Sequence, residues 1–123
     1  MDKIKEGKKV LEFLFGSKAC TAIVERLDKD KPGYSDYMFH SYGEFYKDET
    51  IDIKTKELLV VVALIIQKGA YPQLKGHLNG CKKVGLTKME VCAAIIHLTM
   101  YVGFPSVVNA LMLVDDVYEA SNQ

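Results

Sequence analysis

The chain has 123 residues, of which 49% are hydrophobic, and its 16 basic residues balance 16 acidic ones. This length fits one domain with a buried core, and the balanced charge excludes nucleic acid as an expected partner. Three cysteines, Cys20, Cys81 and Cys92, form no CxxC pair and no disulfide framework. They favour a reducing compartment, and the charged first nine residues lack the apolar core of a secretory signal, so we expect a cytoplasmic protein.

Apolar spacing and end signals predict helices along most of the chain. Gly16 stops the first helix, a turn at 28–33 follows the second, and Pro72 and Pro105 suit the first turns of two later helices. The predicted helices lie at about residues 3–15, 18–27, 34–45, 52–68, 72–84, 87–102 and 105–120.

Two of these helices are predicted from signals at their ends. Residues 58–66 form a β-branched run typical of a buried strand, but Asp52 as a cap and Gly69 as a stop favour a helix of about seventeen residues. Residues 87–90, "TKME", read as a capping box. Since no segment shows convincing alternation of apolar and polar residues, the sequence predicts an all-α fold.

The third helix is rich in aromatic residues at spacings of three and four, which predicts that it packs its rings inward. The expected inward positions are Tyr34, Tyr37, Met38, Ser41, Tyr42 and Phe45. His40 falls outside this stripe.

Residues 91–114 form a run of 24 residues without a formal charge. The turn at 103–105 divides it into pieces too short to cross about 30 Å of hydrocarbon, so we expect no membrane span. Helices that are apolar on most sides are usually buried on several sides. We therefore expect a second subunit to cover part of this run.

His77 and Cys81 are four residues apart and share one face of a predicted helix. Such a pair is either part of the core or interface, or part of a reaction centre. A metal site is not expected, because zinc needs three or four ligands and the other histidines, His40 and His97, lie on different helices. No resolving cysteine lies nearby for thiol–disulfide chemistry.

Glu57 lies in the first turns of an otherwise apolar helix. It either favours the helix dipole or shares a proton with His77 if the two helices pack together, as general acid–base chemistry requires. His97 and Tyr101 form another pair at a spacing of four, for which a core histidine is the commoner outcome. Asn109 is expected to be buried and to need a hydrogen-bond partner.

Three segments resemble the carboxymuconolactone decarboxylase family, whose relatives include the alkyl hydroperoxidase D proteins. They are "HSYGEFYKDETIDIKTKELL" at 40–59, "QLKGHLNGCKKVGLTKMEV" at 73–91 and "HLTMYVGFPSVVNAL" at 97–111. The resemblance implies one domain over 1–123, with N-terminal helices at about 3–33 and a family core at about 34–120. It also implies six to seven helices in an alkyl hydroperoxidase D-like bundle, assembled as a homo-oligomer. The family builds dimers, trimers or hexamers, of which a trimer or hexamer is expected here.

The resemblance implies functional residues at some positions of this chain but not at others. In the hydroperoxidase branch, two cysteines precede the functional histidine as CxxCxxxH, and a glutamate on the preceding helix relays protons. His77 matches this histidine and Glu57 the glutamate, but the cysteine positions hold Ala70 and Gln73. Disulfide reductase chemistry is therefore not expected.

The decarboxylase branch resembles this chain at His77, Gly80, the "GFP" turn and Asn109. Its tryptophan, glutamate and arginines are replaced or displaced at Tyr42, Asp48, Lys56, Gln73 and Asn79. Loss of the guanidinium groups removes the bidentate clamps that bind carboxylates, so the resemblance does not extend to the substrate that names the family.

Together, the residues and the resemblance predict a decarboxylase-type lyase that acts on a small carboxylated or carbonyl substrate without cofactor or metal. His77 is the expected general acid or base, and Glu57 orients or recharges it. Gln73, Asn79, Tyr101 and Tyr42 are the candidate substrate-binding residues. The alternatives are an antioxidant role associated with peroxiredoxins and a non-catalytic oligomeric scaffold that binds a ligand.

Overall fold

The computed structural model describes residues 2–120, and these residues contain eight helices and no strand. The all-α prediction is confirmed. The helices are α1 (Lys3–Phe15), α2 (Ser17–Asp30), α3 (Ser35–Phe45), α4 (Ile53–Gln67), α5 (Tyr71–Lys83), α6 (Lys88–His97), α7 (Thr99–Val102) and α8 (Phe104–Ala120). None of them is long and apolar enough to span a bilayer.

The eighth helix arises because the segment predicted as one helix over 87–102 is divided at Leu98. The backbone N–H of Leu98 donates to the carbonyl of Ile95, three residues back, and the Thr99 hydroxyl donates to the Ile96 carbonyl at 2.6 Å. These bonds tighten the last turn of α6 and compete with the regular helical pattern. Gly103 then ends α7 with φ +87°, a conformation that favours glycine.

The chain contacts cluster into two compact units, the first ending at Ile53 and the second beginning at Lys54. In the first unit, α1 and α3 cross where two glycines meet. A Cβ atom added to Gly7 would lie 1.7 Å from the Phe39 carbonyl oxygen, and one added to Gly43 would lie 2.0 Å from that of Lys3. The absence of side chains at these two positions lets the helix backbones touch.

This glycine contact determines which face of α3 is buried. Phe39 and Gly43 lie against α1, whereas Tyr34, Tyr37 and Phe45 are exposed. The predicted inward face of α3 is therefore wrong for these three rings, and only Met38 and Tyr42 pack partly against the core. The prediction relied on the spacing of large apolar residues. The face of α3 that lies closest to α1 instead carries a glycine, which such spacing does not detect.

The second unit has a continuous apolar core in which α5 and α6 pack against α8. Its buried residues are Val61, Ile65, Leu74, Leu78, Cys81, Leu86, Val91, Ile95, Val107, Ala110, Val114 and Val117. Polar links add to this packing: Lys82 donates to the Val117 carbonyl near the C-terminus of α8, and the Tyr118 hydroxyl donates to the Leu86 carbonyl. These links fix α5, which carries His77, relative to α8.

Candidate active site

Glu57 and His77 meet inside the second unit. Glu57 lies in the second turn of α4 and is fully buried, and His77 lies in the middle of α5 with 7% of its surface exposed. The Nδ1 atom of His77 is 2.9 Å from Oε1 of Glu57. The helices therefore bring together the two residues that the sequence singled out for acid–base chemistry.

The contact defines the state of the imidazole ring. A carboxylate only accepts hydrogen bonds, so the shared hydrogen belongs to Nδ1 of His77 when Glu57 is ionised. This fixes the tautomer and leaves Nε2 as the nitrogen that exchanges a proton.

Cys81 lies one turn after His77 on α5 and is fully buried in the core. Burial, together with a smaller contribution from the negative charge of Glu57, raises the pKa of its thiol to about 12. The thiol is therefore protonated near neutral pH, and a protonated, inaccessible thiol is a poor nucleophile. Its environment is that of a packing residue.

Gln73 lies one turn before His77 on the same face of α5 and is exposed. Solvent exposure therefore decreases along this face, from exposed Gln73 to nearly buried His77 and then to buried Cys81. Asn79 is half-buried and lies two positions from His77, a spacing at which side chains leave a helix in different directions. Of these two candidate binding residues, Gln73 has the better placement beside the histidine.

The two candidate tyrosines have different surroundings. Tyr101 lies on α7 with 74% of its surface exposed. Tyr42 belongs to the first unit, where it is half-buried and its ring stacks on that of Tyr46 at a centroid distance of 5.2 Å. Their substrate-binding roles stay predictions.

Asn109 was expected to be buried, and this expectation is wrong. It is exposed on α8, and its Nδ2 donates to the Tyr71 hydroxyl at 3.2 Å. The stripe that α8 buries passes through Val107 and Ala110 and leaves Asn109 outside. Tyr71, in the first turn of α5, is a polar neighbour of this region that sequence reasoning missed; its only signal was its position directly before Pro72.

The other histidines, His40 and His97, are both exposed, so the expected core position of His97 is wrong. Across residues 2–120, no three side chains among His, Cys, Asp and Glu converge in a way that could hold a metal ion.

The profile of the carboxymuconolactone decarboxylase family matches residues 33–116, which is more than half of the chain. The chain belongs to this family. The match includes both partners of the buried contact, Glu57 and His77, and the Asn109 region of α8.

Three similar proteins align with two thirds or more of this chain. The 4-carboxymuconolactone decarboxylase of Acinetobacter baylyi is 25% identical over 118 residues, covering 95% of this chain and 87% of that protein. The nitrosuccinic acid decarboxylase npaB of Metarhizium robertsii is 28% identical over 109 residues, covering 88% and 76%. An uncharacterized 15.0 kDa protein of Paracoccus denitrificans is 30% identical over 83 residues, covering 67% and 62%.

Proposed function

We propose that this chain is a decarboxylase-type lyase in which His77 delivers a proton to the carbon that loses carbon dioxide. The observation that carries the proposal is the buried 2.9 Å contact between His77 Nδ1 and Glu57 Oε1. Membership of the family and similarity to two proteins named as decarboxylases support this reaction class. The substrate class is a small acid whose carboxyl group lies next to a carbonyl or another electron-withdrawing group.

The reaction step follows from the charge that decarboxylation creates. The bond between the carboxylate and its carbon breaks, carbon dioxide leaves, and the electron pair remains on that carbon as a carbanion or enolate. The Nε2–H bond of charged His77 then breaks and its proton forms the new C–H bond. The imidazole becomes neutral and takes one proton from water to complete the cycle.

Glu57 has a positioning task in this scheme. It holds the ring through Nδ1, so that Nε2 is oriented toward the substrate. Buried carboxylate–histidine contacts act in this way because the low local dielectric strengthens the interaction. Glu57 is therefore a positioning residue rather than a group that touches the substrate.

The substrate enters, in this proposal, from the Gln73 end of the α5 face, because exposure falls from Gln73 to His77. The Gln73 amide can donate to a carboxylate or carbonyl oxygen, and the Tyr71 and Asn109 pair lies at the same N-terminal end of α5. These groups are neutral, and they orient an oxygen without the fork geometry of a guanidinium. Asn79, Tyr101 and Tyr42 remain further candidates.

The proposal is tested by measuring carbon dioxide release from 4-carboxymuconolactone and from nitrosuccinic acid, the acids in the names of the two relatives. We expect wild-type protein to decarboxylate at least one acid of this class, and His77→Ala to lose about 100-fold or more in kcat. His97→Ala removes an exposed histidine of α6 and is the matched control, expected to keep wild-type kcat. Equal rates for His77→Ala and wild type would contradict the proposal.

A further inference from the structure

The first unit contains a cavity at the junction of α2 and α3. Its volume is about 360 Å³, and its lining consists of Arg26, Leu27, Asp30, Lys31 and Tyr34. Sites for small molecules usually have volumes of about 300–1,000 Å³. The Glu57–His77 contact belongs to the second unit, so the proposed lyase reaction uses none of the lining residues.

The walls of this cavity are fixed by hydrogen bonds at the turn between the two helices. Asp28, in the last turn of α2, accepts from the backbone N–H of Ser35 at 2.7 Å and from its hydroxyl at 3.0 Å. Ser35 begins α3 and is buried. The N–H of Tyr34 donates to the Lys31 carbonyl at 3.0 Å, and Gly33 between them has φ +85°. The cavity is therefore formed before a ligand arrives, which lowers the entropic cost of binding.

The lining combines apolar surface with an excess of positive charge. Half-buried Leu27 and the ring of Tyr34 supply the apolar part. Arg26 and Lys31 carry two positive charges, against one negative charge on Asp30. Within the part of the chain that the structure describes, Lys31 makes no ion pair. The cavity therefore suits a ligand with an apolar body and one negatively charged group.

Arg26 is the only arginine in the sequence, and its guanidinium group is only partly occupied. Its Nη1 atom donates to Oδ2 of Asp30 at 3.0 Å, and both side chains are well exposed. Exposed ion pairs of this kind contribute little, so a ligand can share or replace this contact. A guanidinium group has five N–H donors and binds a carboxylate through two parallel hydrogen bonds. Arg26 thus favours a carboxylate as the negative group.

Other ligand chemistries fit this lining less well. A cation would be repelled by Arg26 and Lys31, and a polyanion would meet Asp30 on a chain without net charge. An uncharged apolar ligand would cover the guanidinium group without pairing its charge. A planar body is favoured because aromatic rings stack on the ring of a tyrosine and on the plane of a guanidinium group.

We propose that this cavity binds a small planar carboxylic acid. The carboxylate lies on Arg26, with Lys31 as a second positive group, and the planar body packs against Leu27 and Tyr34. This is a binding site in addition to the candidate active site, and it does not depend on the chemistry at His77.

The first experiment titrates the isotope-labelled full chain with benzoate and follows the backbone amide shifts by NMR. We expect saturable shifts at residues 26–34, with a Kd on the order of 1 mM for a ligand of this size. Benzamide keeps the planar ring without the charge, and cyclohexanecarboxylate keeps the charge without the planar ring. Each is expected to bind about fivefold or more weakly than benzoate.

The second experiment repeats the benzoate titration with variants of the lining. Arg26→Gln should raise Kd about fivefold or more, and Arg26→Lys, which keeps the charge without the fork, should be intermediate. Lys29→Gln removes a charge from the same turn of α2 outside the lining and should stay within about twofold of wild type. Tyr34→Ala should weaken binding, whereas Phe13→Ala, which removes an exposed ring of α1, should not. All these positions are exposed, so unchanged circular dichroism is expected.

The cavity and the lyase reaction can fail separately. His77→Ala should bind benzoate at residues 26–34 as wild type does, whatever its kcat. Three results overturn the inference. They are the absence of saturable shifts at residues 26–34 up to about 30 mM benzoate, equal Kd values for Arg26→Gln and Lys29→Gln, or equal Kd values for benzoate and either of its two analogues.

Discussion

The Nδ1 atom of His77 lies 2.9 Å from Oε1 of Glu57, with the carboxyl group fully buried. This contact joins the second turn of α4 to the middle of α5 and depends on how the two helices align. It is both a structural element of the second unit and the basis of the proposed reaction. The two roles can be measured separately.

The structural role predicts coupling in a double-mutant cycle. Glu57→Leu removes this acceptor from a nearly buried ring, and His77→Leu removes this donor from a buried carboxylate, so each is expected to destabilise the fold by about 1–3 kcal/mol. The double variant should lose less unfolding free energy than the two single variants lose together, because neither polar group then remains. Urea unfolding followed by circular dichroism measures all four free energies. If the loss of the double variant equals the sum of the two single losses within about 0.5 kcal/mol, the contact does not couple the two residues.

The glycine crossing of α1 and α3 makes a second prediction. Gly7→Ala or Gly43→Ala places a methyl group inside the van der Waals radius of a backbone carbonyl, so the helices must separate. We expect each to destabilise the protein by about 3 kcal/mol or more, at the upper end of overpacking effects. Lys8→Ala, at an exposed position of α1, is the control and should stay within about 0.5 kcal/mol of wild type. Chemical denaturation of the three variants measures this difference, and equal midpoints would contradict the crossing.

The cysteines differ in accessibility, which predicts an order of alkylation. Cys81 and Cys20 are buried and Cys92 is half-buried, and burial raises the pKa of all three thiols. Iodoacetamide at pH 8 should modify Cys92 first and Cys81 only on unfolding, as read by mass spectrometry of peptides. Rapid labelling of Cys81 in folded protein would be the contrary result.

The same thiol predicts a loss of stability at high pH. The pKa of Cys81 is about 12 in the folded state and about 8.5 in an unfolded chain. The folded state therefore holds this proton more tightly, and its contribution to stability is present below about pH 8.5 and lost as pH rises toward 12. Cys81→Ala should show a smaller decrease in unfolding free energy between pH 8 and pH 10 than wild type. Parallel pH curves for the two proteins would contradict this linkage.

The capping box of α6 makes a local prediction. Thr87 Oγ1 accepts from the Glu90 N–H at 3.0 Å, and Glu90 accepts from the Thr87 N–H at 2.9 Å. Thr87→Ala should cost about 1 kcal/mol, and Thr87→Ser should recover most of it. Thr21→Ala, at an exposed position inside α2, is the control and should be neutral or slightly stabilising. A melting temperature of Thr87→Ala equal to that of Thr21→Ala would show that the cap does not stabilise the protein.

Several helix ends were predictable from the sequence because their signals are local, although α2 continues to Asp30, three residues beyond its predicted end at about residue 27. The capping box at Thr87, the proline at the start of α5 and the glycine after α4 place the observed ends within about two residues, the usual uncertainty of helix boundaries. The break at Leu98 was not predictable, because it depends on a bond between a side chain and the backbone that competes with a regular helix.

Helix faces were less predictable than helix ends. α3 buries Phe39 and Gly43 because α1 approaches there, and residue spacing alone favoured the exposed face with Tyr37. Similarly, Asn109 could be placed on α8 but not on its exposed side. The pairing of Glu57 with His77 was one of two open interpretations, since the sequence contains both residues but not the alignment of α4 with α5.

The dependence of catalysis on the Glu57–His77 contact is measured by kcat of four proteins: wild type, Glu57→Gln, His77→Asn and the double variant. If Glu57 acts through His77, Glu57→Gln lowers kcat in the wild-type background but has no further effect once His77 is replaced. We therefore expect the double variant to decarboxylate as slowly as His77→Asn and no slower. A double variant slower than His77→Asn by the full factor of Glu57→Gln, or a His77→Asn variant with wild-type kcat, would contradict it.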